Sequence, residues 1–338
     1  MCHNAGKPSM IKQINKSIIR KTFMRREELT CAEISAETGI SITTARAVMN
    51  EMLDKGELTS MGLADSEGGR KSEKFIINDN CYNGISVCVT EKSVYASVIN
   101  IHAEIADTCV IAVDDRDNLV GIIKNIIESR VNKKTAVIGI GVPGIVLPLG
   151  FIRNSERKQL TESIDIIKPL KQRFSLPIIL ENDLKASALG FSKEIKSELT
   201  NATAAFINFE SGCGNISAGF VEGDKIIHGM GNYSGELGLM PFDDKRNFCE
   251  ALYNAANSNE RAEITAKLIA WVCCAINPRH IMLCGNEGFS VGIEDITKFL
   301  SERLPINMIP KLFYGSDFEK YFIKGMAELT AGVIFDEK

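Results

Sequence analysis

Two carboxylates and an amide directly follow a short apolar run in the segment PIILENDLKASALG, which begins at Pro177. The apolar run has the character of a buried strand, and a helical pattern follows Glu181, Asn182 and Asp183. An Asn or Asp at this point can cap the next helix, because its side chain accepts hydrogen bonds from the free N–H groups of the first turn. The position can also form a site, because ligands of open α/β sheets bind just outside the carboxyl ends of strands. Position alone leaves both interpretations open.

Composition describes an ordinary globular protein whose charge is unevenly distributed. The chain has 338 residues, of which 45% are hydrophobic and 24% are charged, and its formal net charge is −4. This length predicts two or three domains. Residues 1–26 contain seven Lys and Arg residues and no Asp or Glu. A basic leader on a chain that is otherwise acidic indicates contact with nucleic acid at one end.

No sequence feature indicates a membrane or an oxidising compartment. The N-terminus lacks the apolar core of a signal peptide, and no uninterrupted apolar span approaches the length of about 18 residues that a transmembrane helix needs. The 10 cysteines are scattered, and no C-x-x-C pair occurs among them. We therefore expect reduced cysteines in a soluble, cytoplasmic protein that has no membrane partner.

A segment near the N-terminus carries the pattern of two short helices joined by a tight turn. Thr30 and Glu33 form a T-x-x-E capping box that starts the first of these helices. Gly39 supplies the turn, and Ser41 can cap a second helix that runs to about Lys55. Upstream, apolar residues near helical spacing predict a further amphipathic helix: Ile11, Ile14, Ile18 and Phe23.

The second helix of the pair is predicted to present an apolar face to a core and a polar face to solvent. Its apolar stripe comprises Ala45, Val48, Met49, Met52 and Leu53. Two helices joined by a glycine turn are typical of the helix-turn-helix, whose second helix enters the major groove of DNA. Small and hydroxyl-bearing residues permit close approach, and an arginine reaches a base edge or a phosphate. The predicted DNA contacts of this helix are Ser41, Thr43, Thr44, Arg46 and Asn50.

Two extended segments, at about 57–62 and 73–77, follow the helix pair and flank a basic loop. They predict a β-hairpin wing whose tip contacts phosphates or a narrow minor groove through Gly69, Arg70 and Lys71. Together with the capping box, the turn glycine and the polar helix face, the wing favours a winged helix-turn-helix that binds DNA. The alternative is a small helical domain that binds protein, whose charges need not align on one edge.

The rest of the chain predicts two α/β lobes. We expect a DNA-binding domain at 1–79, a first lobe at 80–198 and a second lobe at 199–338, and the last helix can return to the first lobe. Within the first lobe, a helix at about 162–173 is expected to lead into a strand at 177–181.

The order of several motifs resembles that of a known family. After a winged helix-turn-helix with GGRK, the chain reads GIGVPGIV, LPIILENDLKASALG, GCGNISAGFVEGDKI, GNYSGELGLM, INPRHIMLCGN and KGMAELTAG. This order resembles the ROK (repressor, open reading frame, kinase) family, which joins sugar kinases and sugar-responsive repressors such as the xylose and N-acetylglucosamine regulators. The resemblance covers nearly the whole chain. It implies that the winged helix-turn-helix precedes a two-lobe α/β fold of the sugar kinase/actin-like (ribonuclease H-like) type.

The resemblance also implies a sugar site in the cleft between the lobes. In the family, the Asp of the E-N-D run takes a proton from a sugar hydroxyl, and its Asn neighbour hydrogen-bonds the sugar. These residues match Asp183 and Asn182, and Glu236 matches the sugar-binding Glu of the family's G-E-x-G-H run. Gly144, in the V-P-G turn, matches a glycine near the sugar. A carboxylate in such a cleft can accept a hydroxyl proton or merely hold the hydroxyl.

Departures from the family pattern predict that the kinase chemistry is lost. The family's D-x-G-x-T motif is replaced by CVTEKSV, in which Glu91 would repel phosphate. The second phosphate loop is GCGNISAG, Gly212–Gly219, with its last glycine displaced. Loops that hold phosphate through backbone N–H groups tolerate such changes poorly. We therefore expect a protein that is not an enzyme and has no cofactor, with Asp183 a relic base that at most holds a ligand hydroxyl.

The family's zinc site is also expected to be absent. The His of the G-H run is replaced by Leu239, and only Cys249 and Glu250 remain as remnants of the cysteine-rich motif that follows it. One thiolate cannot replace the four ligands of a structural zinc. Because that His also contacts the sugar in the family, Leu239 motivates an alternative in which the cleft does not bind a hexose.

These patterns predict a transcriptional regulator that binds double-stranded operator DNA and responds to a sugar or sugar phosphate in the cleft. Repression is expected from the resemblance. A homodimer or a dimer of dimers is also expected, because a helix-turn-helix protein generally uses two half-sites. One alternative is a DNA-binding protein whose lobes only dimerise or bind a non-sugar ligand. The other is an active ATP-dependent sugar kinase, which the phosphate motifs disfavour.

Overall fold

A computed structural model shows an N-terminal helical region followed by two α/β lobes. It describes residues 8–63, 72–114, 118–155, 160–195, 202–209, 215–285 and 291–335. Within these ranges, no helix combines the length and the apolar character needed to cross a membrane.

The N-terminal region packs its helices against a small antiparallel sheet. Its elements are α1 (Pro8–Phe23), β1 (Leu29–Thr30), α2 (Cys31–Thr38), α3 (Ile42–Asp54), β2 (Leu58–Leu63) and β3 (Glu73–Ile77), and the strand order is β1-β3-β2. The predicted capping box is confirmed, since Thr30 N donates to Glu33 Oε2 at 2.8 Å and Glu33 N donates to Thr30 Oγ1 at 3.3 Å. Gly39 ends α2 with a φ of 72°, in the left-handed region that favours glycine.

Helix α1 packs through a face that the spacing of its isoleucines did not predict. Three residues of the predicted apolar stripe are 52%, 53% and 38% exposed: Ile11, Ile14 and Ile18. On the opposite face, Lys16 Nζ lies 2.7 Å from Glu57 Oε1, and Arg20 Nη2 lies 2.9 Å from Glu57 Oε2. The Glu57 side chain is only 1% exposed. A buried carboxylate requires partner cations, so the basic edge of α1 faces inward beside Ile19 and Phe23.

The same carboxylate joins the N-terminal region to the lobes. Tyr82 Oη donates a hydrogen bond to Glu57 Oε1 at 3.1 Å. The guanidinium of Arg20 lies 5.1 Å from the centre of the Phe335 ring, and the rings of Tyr82 and Phe335 meet edge to face at 6.1 Å. Phe335 follows the last helix of the chain, so the N-terminal region rests on both the start and the end of the lobes.

The first lobe is a mixed sheet with helices. Its main sheet has the order β11-β7-β4-β5-β6; β5 pairs antiparallel with both β4 and β6, and β4, β7 and β11 are parallel. A smaller antiparallel sheet has the order β10-β9-β8. The elements are β4 (Asn83–Val89), β5 (Ser93–Ile99), β6 (Ile105–Ala112), α4 (Leu119–Arg130), β7 (Thr135–Val142), β8 (Ile145–Val146), β9 (Gly150–Ser155), β10 (Leu160–Asp165), α5 (Ile167–Arg173), β11 (Ile178–Asn182) and α6 (Asp183–Glu194).

The second lobe repeats the sheet topology of the first. Its strands have the order β14-β13-β12-β15-β16, with an antiparallel meander from β12 to β14 and parallel pairing of β12, β15 and β16. The elements are β12 (Thr203–Phe209), β13 (Ile216–Glu222), β14 (Lys225–Ile226), α7 (Phe248–Tyr253), α8 (Ser258–Ala275), β15 (His280–Gly285), α9 (Ile293–Ser301), β16 (Lys311–Gly315) and α10 (Phe318–Val333), with short 3-10 helices at Met230–Asn232, Leu237–Leu239 and Ile306–Met308. The prediction of a two-lobe α/β fold is confirmed.

The helix predicted at about 162–173 is wrong in its first half. Residues 160–165 form β10, which pairs antiparallel with β9 from Leu160↔Ser155 to Asp165↔Gly150. The helix α5 begins only at Ile167. Pro169 explains the late start, because its ring would collide with the carbonyl of Asp165 if the helix continued upstream.

Helices α6 and α10 lie together between the two sheets, and glycines permit their close approach. A Cβ atom at Gly325 of α10 would lie 1.8 Å from Ala186 O, and one at Gly190 of α6 would lie 2.1 Å from Tyr321 O. Helix α10 also covers the first sheet, where a Cβ at Gly141 would lie 2.4 Å from the ring of Phe322. Helix α6 covers the second sheet in the same way. The packing of the lobes therefore depends on backbone contacts that only glycine allows.

We expect Gly325→Ala to destabilise the protein although alanine is the better helix former. The added methyl group must displace α6, and overpacking of this kind typically costs about 1–3 kcal/mol. Gly332→Ala is the matched control, because Gly332 lies on the same helix with nothing within 4 Å of its Cβ position. There the substitution should stabilise by up to about 1 kcal/mol. Urea unfolding of both variants checks the prediction, and equal stability of the two would contradict it.

Candidate functional site

The candidate ligand site lies where β7 and β11 end side by side. These strands are parallel, with Asn182 of β11 opposite Val142 of β7, and α6 begins at Asp183. Two residues beyond Val142, Gly144 turns the chain with a φ of 93°, a conformation that a residue with a side chain rarely adopts. The structure therefore brings Gly144, Asn182 and Asp183 together at the carboxyl edge of the first sheet, as the sequence predicted.

Asn182 acts as a helix cap and as a bridge to the glycine turn. Its Oδ1 accepts a hydrogen bond from Lys185 N at 3.0 Å. Its Nδ2 donates to Gly144 O at 2.9 Å and to Asp183 Oδ1 at 2.9 Å. Both donor hydrogens of the amide are thus used within the protein. A ligand-binding role for Asn182 stays a prediction, and the structure gives this residue a positioning role in any case.

The Asp183 carboxylate is held in place by its neighbours. Its Oδ1 accepts from Leu184 N at 2.8 Å as well as from Asn182 Nδ2. The Asp183 carbonyl accepts from Ser187 Oγ at 2.8 Å, within the first turn of α6. A half-buried carboxylate fixed in this way at the edge of a sheet can accept a hydroxyl hydrogen bond without first being reoriented.

Glu236 faces the site from the second lobe. It precedes the 3-10 helix Leu237–Leu239, and its Oε2 lies 3.5 Å from Asn215 Nδ2. Burial raises the pKa of Glu236 above its ordinary value, while the Lys185 ammonium and hydrogen bonds from Asn215 and Ser217 act in the opposite direction. A partly buried carboxyl group of this kind gains from a polar ligand that supplies further hydrogen bonds.

Two basic residues that sequence reasoning missed complete this region. Lys185 is 3% exposed, and its Nζ donates to Asn232 O at 2.8 Å. Burial lowers the pKa of Lys185, although the charges of Glu181, Glu236 and Asp183 oppose the shift. His228 Nε2 lies 2.7 Å from Glu181 Oε2. A basic residue in the first turn of a helix, opposite to the usual acidic preference, was the one sequence signal that could have revealed Lys185.

The two predicted remnants of the zinc motif, Cys249 and Glu250, make contacts within the second lobe. Glu250 completes a capping box with Asn247 at the start of α7, where Glu250 N donates to Asn247 Oδ1 at 2.8 Å. Cys249 is half-buried behind Gly238, where an added Cβ would lie 2.1 Å from the Cys249 sulfur. Leu239 is 54% exposed. In the described part of the chain, no group of three or more His, Cys, Asp and Glu side chains could hold a metal ion.

Helix α3 presents the polar face that the sequence predicted. Its buried residues are Ala45, Val48, Met49 and Met52, which pack in the core of the N-terminal region. Ser41 caps the helix and accepts a hydrogen bond from Thr44 N at 3.2 Å. The predicted DNA-contact residues of this segment are all exposed: Ser41, Thr43, Thr44, Arg46 and Asn50. The predicted wing-tip contacts lie outside the described residues: Gly69, Arg70 and Lys71.

A duplicated mixed sheet with an attached helical region defines a two-lobe fold of the sugar kinase-like type. Residues 96–255 match the model of the ROK family. This part of the chain therefore resembles the ROK family, and the predicted family resemblance is confirmed.

Relatives of this chain include bacterial repressors. A protein named xylose repressor from Caldicellulosiruptor bescii is 23% identical over 310 residues, which cover 85% of this chain and 77% of that protein. A protein of Caldicellulosiruptor sp. (strain Rt8B.4) is 26% identical over 258 residues. That match covers 72% of this chain and 62% of the relative, so the chain spans less than two thirds of that relative's length.

A solved structure shares the fold over almost the whole chain. It is described as a ROK family transcriptional regulator, a homologue of the E. coli MLC protein. The TM-score is 0.74 at 16% identity, and the match covers 96% of this chain and 97% of the other. The likeness therefore includes the N-terminal region as well as both lobes.

We expect Glu236→Gln to stabilise the protein at pH 7 when no ligand is present. Because burial raises the pKa of Glu236, the folded state binds more protons than the unfolded state between the ordinary pKa of 4.5 and the raised value. The contribution of Glu236 to stability therefore falls as pH rises through this window, and at pH 7 the unfavourable charge is present. Glutamine removes that charge and keeps an oxygen acceptor for Asn215.

Thermal unfolding at pH 7 checks this prediction. Glu222→Gln is the matched control, because Glu222 is an exposed glutamate of the same lobe. The control should leave the Tm unchanged, while Glu236→Gln should raise it. A lower Tm for Glu236→Gln would show that the carboxylate stabilises the empty site.

Proposed function

We propose that this protein is a DNA-binding transcriptional repressor whose cleft binds a sugar or a sugar derivative. The observation that carries the proposal is the polar face of α3, where Thr43, Arg46 and Asn50 are exposed beside a buried apolar stripe. That face lies on a winged helix-turn-helix, in which β2 and β3 form the wing, and this module is attached to a ROK domain. The similarity to a protein named xylose repressor supports the same function and makes D-xylose the first effector to test.

The cleft is proposed to act as a sensor and not as a catalyst. The segment that replaces the family's first phosphate motif includes the turn after β4, whose backbone N–H groups are used within the turn. Thr90 N donates to Ser93 O at 2.8 Å, and Ser93 N donates to Thr90 Oγ1 at 3.1 Å. These backbone groups do not point to an open phosphate cradle. In the segment that matches the second phosphate loop, Gly219 allows close packing of β13 against α6, because an added Cβ would lie 2.1 Å from Leu184 O. Asp183 then holds a ligand hydroxyl, and no phosphoryl transfer follows.

A second candidate is a DNA-binding protein whose lobes only dimerise or bind a ligand other than a sugar. The exposed Leu239, where the family carries a sugar-binding His, favours it. So does the internal use of both Asn182 donors. In both candidates we propose a homodimer, or a dimer of dimers, because paired recognition helices fit two half-sites of a duplex.

Arg46→Ala should weaken operator binding. The operator is first selected from a random duplex pool with the purified protein, and affinity is then measured at fixed salt. Loss of a base or phosphate contact by Arg46 should cost about 1–3 kcal/mol. Arg279→Ala, an exposed arginine of the second lobe, is the control for loss of one positive charge and should bind normally. Equal binding by both variants would exclude Arg46 from the interface.

D-Xylose or another sugar of a panel should release the operator, and Asp183→Asn or Glu236→Ala should abolish that release. The physical reason is that an effector shifts the protein only through unequal affinity for the free and DNA-bound conformations. Operator binding without sugar should survive in both variants. If no sugar or sugar phosphate releases DNA or changes the Tm, the second candidate function is favoured. Sugar-dependent ATP turnover that is lost in Asp183→Asn would overturn the sensor proposal.

A further inference from the structure

Residues 227–236 form a compact loop of the second lobe that reaches over the ligand site; we refer to it as the strap. Its two ends are tied together, because Ser234 Oγ lies 2.7 Å from Ile227 O and 2.8 Å from His228 O. Its base is fixed to β13 through Ile227 N to Phe220 O and Ala218 N to Gly235 O, both at 2.8 Å. The strap is therefore anchored on its own lobe independently of the first lobe.

The span of the strap is built from residues in left-handed conformations. Gly229, Gly231 and Gly235 have φ angles of 66°, 74° and 105°, and Asn232 has a φ of 60°. Met230, between two of these glycines, is 100% exposed. A segment that buries so little apolar surface gains little from packing, so its position depends on the polar contacts at its far side.

The strap reaches the opposite side of the cleft through a small set of polar contacts. His228 Nε2 lies 2.7 Å from Glu181 Oε2 at the end of β11. Asn232 Nδ2 donates to Val146 O at 3.0 Å, and Asn232 O accepts from Lys185 Nζ at 2.8 Å. The strap thus touches the neighbours of Gly144 and Asn182, which form the candidate site.

We propose that the strap is a lid of the cleft and that the ion pair between His228 and Glu181 is its catch. Opening the catch releases the contact between a side chain on the second lobe and a strand end of the first lobe. Of the two Asn232 contacts, one joins its side-chain amide to the Val146 carbonyl, and the other joins its backbone carbonyl to the Lys185 ammonium group. The His228 contact is the one that involves an imidazole, whose ordinary pKa lies close to neutral pH.

The lid also connects the ligand to lobe closure, and this step rests on the proposed function. Glu236 is the last residue of the strap, next to Gly235 at its base, while Asp183 lies on the first lobe beside Glu181. A polyhydroxylated ligand held by Asp183 and Glu236 would bridge the same two lobes that His228 and Glu181 bridge. Ligand and catch therefore stabilise the same closed arrangement, and loss of the catch should speed release of the ligand.

The sign of the pH dependence follows from the surroundings of His228. The hydrogen bond to Glu181 is the main cause that raises the pKa of His228 above 6.5, and partial burial and the Lys185 ammonium oppose it. These are the charged groups that face the ring, Glu181 from β11 and Lys185 from α6. The stabilisation is complete below the ordinary pKa and is lost as pH rises through the raised value. Because the ring is partly exposed, the pair of His228 and Glu181 is expected to raise the ratio of closed to open strap by a modest factor only.

Hydrogen–deuterium exchange of peptides that cover 227–236, measured without ligand, tests the lid. Protection factors, which remove the intrinsic effect of pH, should fall about two- to fivefold between pH 6 and pH 8.5 in the wild type. His228→Gln and Glu181→Gln should show the low protection at both pH values. His102→Gln is the matched control, because His102 Nε2 lies 2.9 Å from Asp79 Oδ1 in another histidine–carboxylate pair. It should behave as the wild type does.

Strap protection that does not depend on pH, or that both glutamine variants retain, would overturn the proposal. A fall in protection throughout the chain would also overturn it, because the pair would then support the whole fold and not the strap. A second arm measures dissociation of D-xylose, which should be about two- to fivefold faster in His228→Gln. If no sugar binds, the proposed function fails while the exchange result still decides the lid.

Discussion

The close contact between α6 and α10 is the constraint on which the two-lobe arrangement depends. Both helices lie between the sheets, and the backbone of each meets the other at Gly190 and Gly325. Helix α6 starts at the candidate site with Asp183, whereas α10 ends two residues before Phe335, which lies close to Arg20 of the N-terminal region. Interdigitated backbones leave few ways to slide, so a movement at one end of this helix pair is transmitted as a shift of the whole pair.

The N-terminal region is joined to that helix pair by charge as much as by apolar contact. Glu57 is nearly inaccessible, and its oxygens are shared by Lys16, Arg20 and Tyr82. A buried ion cluster of this kind adds little net stability compared with an apolar cluster, but removing one partner leaves another charge uncompensated. Such a junction favours a single docked geometry of the N-terminal region on the lobes.

Local signals in the sequence predicted the elements well, and contacts between distant segments explain what was missed. The capping box of Thr30 and the faces of α3 depend on residues close in sequence. The orientation of α1, whose basic edge faces inward, depends on Glu57, which lies 41 residues after Lys16. In the same way, His228 is 47 residues from Glu181, so no periodicity or motif connects them. Within the site, the cap and ligand interpretations of Asn182 could not be separated by position, because the capping geometry and the carboxyl edge of the sheet coincide.

The charged side chains of the candidate site come from both lobes. The site holds Glu181, Asp183 and Glu236 within reach of Lys185 and His228, and these groups come from different strand ends and from the strap. The Glu181 carboxylate of the first lobe faces the His228 imidazole of the second lobe. Separating the lobes exposes these groups to water, which lowers the desolvation cost but also weakens their mutual attraction. The two effects oppose each other, so the net electrostatic cost of separating the lobes is smaller than the loss of attraction alone.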